Sequence, residues 1–320
     1  MNMNDIRVGV IGVGALGQHH ARIYAGLPGA RLVGVCDSDA ARAREVAARY
    51  ATQAFAEAEA LVAQCDAVSV AVPTIGHCTA AKRALSAGRD VLVEKPMTTT
   101  LAEADELIEL AAKQGAVLQV GHVERFNPAA QVLLREVRQP RFVEVHRLGA
   151  FPARSLDIDV VLDVMIHDLD IILALDGTHI EAVDAVGVPV LTDRTDIANA
   201  RLRFASGLIA NVTASRVSTE KLRKFRVFAH GRYISADFAT REARVYRLSQ
   251  DSGGRPTVSE ERLAAPDEEP LRRQLEAFVQ SVRTRTAPVV GGEAGRRALA
   301  LAHTIVERIS ASQVGPSWRD

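Results

Sequence analysis

Through residues 1–121, short apolar runs alternate with longer stretches of helical periodicity. The runs Arg7–Ile11, Arg31–Cys36, Ala67–Val72, Asp90–Val93 and Val117–Val120 read as strands. The Ala-rich segments Ala40–Ala51, Thr79–Ala87 and Leu101–Lys113 read as helices between them. Such alternation is the rhythm of a parallel sheet wrapped by crossover helices, so residues 1–121 are expected to form a doubly wound α/β domain.

Beyond this point the texture changes. Asn127–Arg138 reads as a helix closed by Pro140. It is followed by β-favouring runs at Phe142–Leu148, Ala200–Phe204, Leu208–Ala214, Phe225–Ala229 and Arg244–Leu248. Helical periodicity returns at Leu271–Arg285 and Glu293–Ser312. Residues 122–320 are therefore expected to form an α+β domain on a mostly antiparallel, open sheet.

Composition narrows the class. A chain of 320 residues exceeds what one core usually holds, which suits two domains. Hydrophobic residues at 48% against 24% charged exclude a disordered or fibrous chain. The 39 Lys and Arg are balanced by 39 Asp and Glu, leaving no net positive field for nucleic acid or an anionic membrane. Cys36, Cys65 and Cys78 lack any CxxC spacing and read as reduced, mostly buried thiols. Asp5 interrupts what a signal peptide would need, and no apolar stretch reaches a membrane span, so a cytoplasmic location is expected.

The first strand runs into Gly12-Val13-Gly14-Ala15-Leu16-Gly17 and then a helix-compatible segment. Gly12 suits the tight turn, Gly14 lets the backbone approach a diphosphate, and Gly17 permits close packing of helix on strand. The second strand ends at Asp37, where a carboxylate would accept hydrogen bonds from an adenosine ribose and repel a 2′-phosphate. NAD is thus expected, with NADP less favoured; Arg42 and Arg44 either serve a 2′-phosphate or are exposed helix arginines.

The fourth strand ends in Glu94-Lys95-Pro96, at the sheet edge where open α/β folds bind ligands. Farther on, Val160–Leu173 is apolar apart from Asp163, His167, Asp168 and Asp170. At a helical advance of about 100° per residue, Asp163, His167 and Asp170 share one stripe, while Asp168 falls off it and is expected to be exposed or at an interface. A helix apolar on so many sides is expected to be buried, its stripe paired within the fold or facing a cavity. A structural His–Asp pair and a catalytic one both satisfy this pattern. A metal is not expected, since the ligand set is not a recognised one.

GVGALG, Asp37, Glu94-Lys95-Pro96 and Asp163-x-x-x-His167 together resemble the Gfo/Idh/MocA family of sugar and polyol dehydrogenases, in order and spacing along most of the chain. The resemblance implies that Lys95, Asp163 and His167 flank the substrate carbon facing the nicotinamide. His167 would then be the base, Lys95 the alkoxide stabiliser and Asp163 the orienting group. The cofactor-binding candidates are Gly12, Val13, Gly14, Ala15, Leu16, Gly17, Asp37, Pro73, Glu94 and Lys95.

Two segments bear on substrate. Asp163–Ile172 resembles both inositol dehydrogenases and UDP-N-acetyl-hexosamine 3-dehydrogenases, whereas Gly121-His122-Val123-Glu124-Arg125-Phe126-Asn127-Pro128 looks more like the UDP-sugar branch, which includes the enzymes preparing a 3-amino sugar for lipid A. Oxidation at C3 of a substrate such as UDP-N-acetylglucosamine is the expectation, with inositol oxidation the alternative. A non-catalytic NAD(H)-binding regulator is the reading from another class. His122, Arg125, Asn127, Arg154, Asp163 and His167 are the candidate substrate contacts. For the diphosphate, Arg154, Arg216, Lys221, Arg223, Lys224 and Arg226 are either a clamp or ordinary solvated charges. Relatives associate through the open sheet, so a homodimer or homotetramer is expected.

Overall fold

The computed structural model describes residues 5–151, 158–250, 254–263 and 268–312. The chain divides into two compact units, one of Met1–Val123 with Glu269–Arg296, the other of Glu124–Glu268 with Arg297–Asp320. The expectation that everything after residue 121 belongs to the second domain thus misplaces one segment. Residues 269–296 return to the first unit.

The first unit is built on a parallel sheet of β1 (Ile6–Ile11), β2 (Ala30–Cys36), β3 (Gln53–Phe55), β4 (Ala67–Val70), β5 (Asp90–Glu94) and β6 (Leu118–Gly121), in the order β3-β2-β1-β4-β5-β6. The chain steps outward from β1 in one direction and from β4 in the other, so the reversal point lies at the β1–β4 pair, where such sheets open a crevice at their carboxyl ends. Its helices are α1 (Gly17–Ala25), α2 (Ala40–Arg49), α3 (Ala58–Gln64), α4 (His77–Ser86) and α5 (Leu101–Gln114). Five strands match the expected runs to within two residues; β3 and α3 were not anticipated. Strand β3 is three residues long and only its Phe55 is buried, too little to leave a pattern.

Local chemistry sets the helix ends. Thr100 accepts from the Glu103 N–H while the Glu103 carboxylate reaches back to the Thr100 N–H, and Gly115 closes α5 in the left-handed region. Asp39 caps α2 through the N–H groups of Ala41 and Arg42. The returning segment supplies α8, which follows α6 (Pro128–Glu136) and α7 (Ile166–Leu175) of the second unit in chain order. Helix α8 (Pro270–Thr284) buries Leu271, Leu275, Phe278, Val279 and Val282 in the same core as Val8, Val10, Ile23, Tyr24 and Val35. Full burial of a Leu or Phe contributes about 1.5–3 kcal/mol, so α8 is integral to this unit.

The second unit carries an eight-stranded sheet of β7 (Phe142–Leu148), β8 (Ile180–Val188), β9 (Ile197–Phe204), β10 (Ile209–Ser215), β11 (Leu222–Ala229), β12 (Arg232–Asp237), β13 (Glu242–Gln250) and β14 (Pro256–Leu263). Their order is β14-β13-β12-β11-β7-β10-β9-β8. Every pairing is antiparallel except β7 with β10. One face packs on α6 (Pro128–Glu136), α7 (Ile166–Leu175) and the later part of α9 (Gly292–Ser312), around Val143, Val145, Leu202, Val212, Phe225, Ile166, Leu169, Ile172 and Ile305. The opposite face carries a cross-strand row of half-buried rings. Phe142, Phe228, Tyr233 and Tyr246 follow one another at centroid spacings of 5.7, 4.7 and 5.1 Å.

Among the described residues, no helix is long and apolar enough to cross a membrane. All three cysteines are free and buried, as expected, and burial pushes the Cys65 thiol up to about 12.

Candidate active site

In the first unit, β1 delivers the chain into the glycine turn. Gly12 has φ +85, and a Cβ there would lie 2.6 Å from the backbone nitrogen of Val72. A Cβ on Gly17 would stand 1.8 Å from the Gly12 carbonyl oxygen, which α1 closely overlies. Gly14 differs: its Cβ would meet only Arg42 Nη1, at 3.8 Å, so this peptide faces open space. A groove of about 400 Å³ runs past it, lined in part by Val13, Gly14, Ala15, Gln18 and Arg42. Leu16 is half-buried beneath the turn.

Asp37 closes the turn from the end of β2. Its carboxylate accepts from the Val13 N–H at 2.8 Å and the Asp39 N–H at 2.9 Å. A carboxylate has about four acceptor positions, so capacity remains for ribose hydroxyls. Arg42 reaches Asp37 at 3.4 Å and Asp39 at 3.1 Å, while Arg44 is exposed. An open glycine peptide beside a partly committed carboxylate fits a dinucleotide. Pro73 is exposed at the edge of β4.

Strand β5 ends in a buried acid. Glu94 Oε1 lies 3.2 Å from His20 Nε2 and accepts from Gln274 Nε2 at 3.3 Å. Gly121 opposite leaves room for it, since a Cβ there would sit 2.5 Å from Oε1. Burial by itself would raise the Glu94 pKa, but the His20 contact and the nearby Lys95 and His77 outweigh it and hold the acid below its usual range. Lys95 follows, half-buried, its backbone N–H donating to Glu94 Oε2 at 3.3 Å. His122, just past β6, is buried.

In the second unit, Asp163 lies on one turn of π-helix, Val161–Met165, and His167 on the first turn of α7. Both are half-buried, whereas Val160, Val161, Met165, Ile166 and Leu169 are fully buried. The expected burial of this helix therefore holds. Of the expected stripe, Asp170 is paired within the fold, in a buried bidentate pair with Arg125 at 2.6 and 3.1 Å. A π turn also advances less per residue than an α turn, so positions spaced across it lose the α-helical register.

Asp168 corrects the expectation of an exposed residue. It is buried and grips Arg147 through two bonds of 2.7 Å, while Arg147 also donates to Glu124 at 2.8 Å. Burial works against the Arg147 charge, but these two carboxylates hold its pKa far above the ordinary value. A signal was present: Val143, Val145 and Arg147 share one face of β7, so strict alternation aims Arg147 at the core.

Several proposed substrate contacts are engaged within the fold. Asn127 caps α6 by accepting from the Ala129 N–H, and its amide donates to Glu124 Oε2 at 2.9 Å and the Phe238 carbonyl at 3.0 Å. Arg125 is committed to Asp170. Arg216, proposed for a diphosphate clamp, is buried and donates to Asp196 at 2.8 Å and the Ile158 carbonyl at 2.8 Å. It thereby anchors the segment entering the π turn. Lys224 pairs with Asp237 and Arg226 with Glu144, both at 2.8 Å; Arg223 approaches Glu124 at 3.4 Å; Lys221 is exposed. Arg154 lies outside the described residues.

Comparison with known proteins places these features in a family. Residues 6–122 match the model of the GFO/IDH/MocA oxidoreductase family with its NAD-binding Rossmann fold, and residues 138–234 match the GFO/IDH/MocA C-terminal domain. The chain is 42% identical over 302 residues to a UDP-N-acetylglucosamine 3-dehydrogenase of Acidithiobacillus ferrooxidans, covering 94% of this chain and 96% of that one. The chain belongs to the GFO/IDH/MocA oxidoreductase family. A solved structure of the A. ferrooxidans enzyme GnnA superposes with a TM-score of 0.92 at 41% identity, covering 97% of this chain and 99% of that one. A scyllo-inositol 2-dehydrogenase of Bacillus subtilis is 32% identical over 234 residues, covering 67% of this chain and 68% of that one. As a member of this family, the chain is an oxidoreductase whose first unit is an NAD-binding Rossmann domain. Sequence reasoning found its glycine turn and Asp37 but missed the buried His20, His77 and Arg147.

Proposed function

We propose that this chain is an NAD-dependent dehydrogenase that oxidises the C3 hydroxyl of a UDP-N-acetyl-hexosamine, such as UDP-N-acetylglucosamine, to the 3-keto sugar. The observation that carries the reading is 42% identity over 94% of the chain to a UDP-N-acetylglucosamine 3-dehydrogenase, against 32% over 67% for the scyllo-inositol enzyme. Lys95, Asp163 and His167 are the catalytic residues of this reading. NAD, when bound, supplies the hydride acceptor. His167 takes the hydroxyl proton, as a neutral imidazole can. The Lys95 ammonium stabilises the oxygen as its charge develops, and Asp163 orients His167 or a neighbouring hydroxyl. Asp37 selects NAD by repelling a 2′-phosphate.

A 3-keto nucleotide sugar is the compound an aminotransferase needs to install a 3-amino group, which fits a role in lipid A biosynthesis in the cytoplasm. The row of rings on the second unit's sheet would give two copies of the chain an apolar surface to share, which supports a homodimer or homotetramer.

A panel of UDP-N-acetylglucosamine, UDP-N-acetylgalactosamine, their uronic acids and the inositols, each offered with NAD and followed at the NADH absorbance, tests the reading. Turnover of UDP-N-acetyl-hexosamines is expected. Turnover confined to free inositols would replace the substrate, and NAD binding without turnover of any member would make the chain a regulator.

A further inference from the structure

His77 opens α4 and is buried, yet no part of the proposed chemistry uses it. Its ring lies between two backbone turns. Nδ1 is 2.8 Å from the Pro96 carbonyl oxygen and Nε2 is 2.9 Å from the Val72 carbonyl oxygen. Both neighbours are acceptors. A neutral imidazole has one N–H and ties one turn at a time; an imidazolium has two and ties both. Burial holds the His77 pKa below the ordinary histidine range, while the two carbonyls and the Glu94 carboxylate act in the other direction.

The charges around the ring come from several elements. Strand β5 and its turn bring Glu94 and Lys95, and α1 brings His20 to Glu94. Helix α5 directs Glu103 and Glu106 toward Cys78, the next residue along α4, where Lys82 engages Glu106. The two turns that the ring joins matter for different reasons. One is Val72–Pro73, whose backbone nitrogen closely approaches Gly12 of the dinucleotide turn. The other is Lys95–Pro96.

We propose that His77 is a positioning residue: packed between the Lys95–Pro96 and Val72–Pro73 turns, its neutral ring donates its one N–H, from Nδ1, to the Pro96 carbonyl and so sets the placement of the Lys95 ammonium. The inference rests on the role given to Lys95 above. It predicts that a donor at the Nδ1 position is required and that one at the Nε2 position does not replace it.

Two substitutions separate them. His77→Asn keeps an amide donor near the Nδ1 position, and His77→Gln keeps one near the Nε2 position. His77→Asn is expected to hold kcat within about threefold, and His77→Gln to lower it at least about tenfold, with the Kd for NAD little changed in both. His77→Ala should lose the tie, with kcat down about 100-fold, as a displaced catalytic group costs. Equal losses in the Asn and Gln variants, or an unchanged His77→Ala, would overturn the proposal. On the unsubstituted, ¹⁵N-labelled chain without substrate, one His77 ring N–H should exchange slowly with solvent; solvent-rate exchange at both nitrogens would also overturn it. Ring exchange does not depend on turnover. Should Lys95→Met retain activity, the catalytic reading fails while ring exchange still decides the clamp.

Discussion

Gly14 and Gly17 sit in one turn but answer to different constraints. A Cβ on Gly17 collides with backbone at 1.8 Å, which nothing short of moving α1 relieves. Gly14 has space for a side chain, so in the proposed reading the constraint there is the approach of the dinucleotide. Gly17→Ala should therefore lower the thermal midpoint, whereas Gly14→Val should leave it unchanged and weaken NAD binding at least about tenfold, or about 1.4 kcal/mol, by calorimetric titration. Lys95→Ala and His167→Ala should each reduce kcat by about 10²–10⁴-fold with NAD affinity preserved; near-normal turnover in both would remove the proposed chemistry. At this scale the sequence showed the residues that belong to a motif of fixed order and spacing, such as Gly12 and Asp37. It concealed those that no motif marks and whose partner lies on another element. Periodicity gave Asp168 a direction around its helix but not the arginine that meets it from β7.

Elements follow the same logic. The expected strands β1, β2, β4, β5 and β6 carry largely apolar runs because both faces of a parallel sheet are covered. Strand β14 was invisible because every residue but its last is exposed, so its sequence has no buried face to record. The π turn at Val161–Met165 includes Asp163, where the periodicity argument assumed a regular α-helix. Ahead of that turn, Arg216, paired with the buried Asp196, donates to the Ile158 carbonyl. Arg216→Met leaves Asp196 buried without its cation and should cost about 3–5 kcal/mol in urea unfolding. Despite burial, backbone N–H groups of Val190, Leu191 and Thr192, together with Arg216, hold the Asp196 pKa well below its ordinary 3.8. A carboxylate depressed in the folded state stabilises above its unfolded pKa and loses that contribution as pH falls. The stability gap between the unsubstituted chain and Asp196→Asn should thus be constant above about pH 5 and shrink below about pH 4. A gap independent of pH would contradict the assignment.

For the whole molecule, the proposed assembly rests on the sheet face that carries the row of rings. Phe228 lies in the middle of the ring row, between Phe142 and Tyr233. Phe228→Glu places a charge there and should shift the chain to a smaller species in light scattering without unfolding either unit; an unchanged mass would show that assembly uses another surface. The division into two units was legible from the change of strand pattern near residue 121. The return of residues 269–296 was not, because an amphipathic helix records that it has a buried face and not which core receives it.

That return has a bearing on how the protein is made. The six strands of the first unit have all left the ribosome once about 125 residues are free of it, but Leu275 and Phe278, which complete their core, are encoded some 150 residues later. At about 5–20 residues per second, the nascent sheet waits on the order of ten seconds with one flank uncovered. The cofactor-binding unit, first in the sequence, is among the last parts of the chain to finish folding, and it is during this interval that the growing polypeptide is most exposed to chaperones and to misassembly.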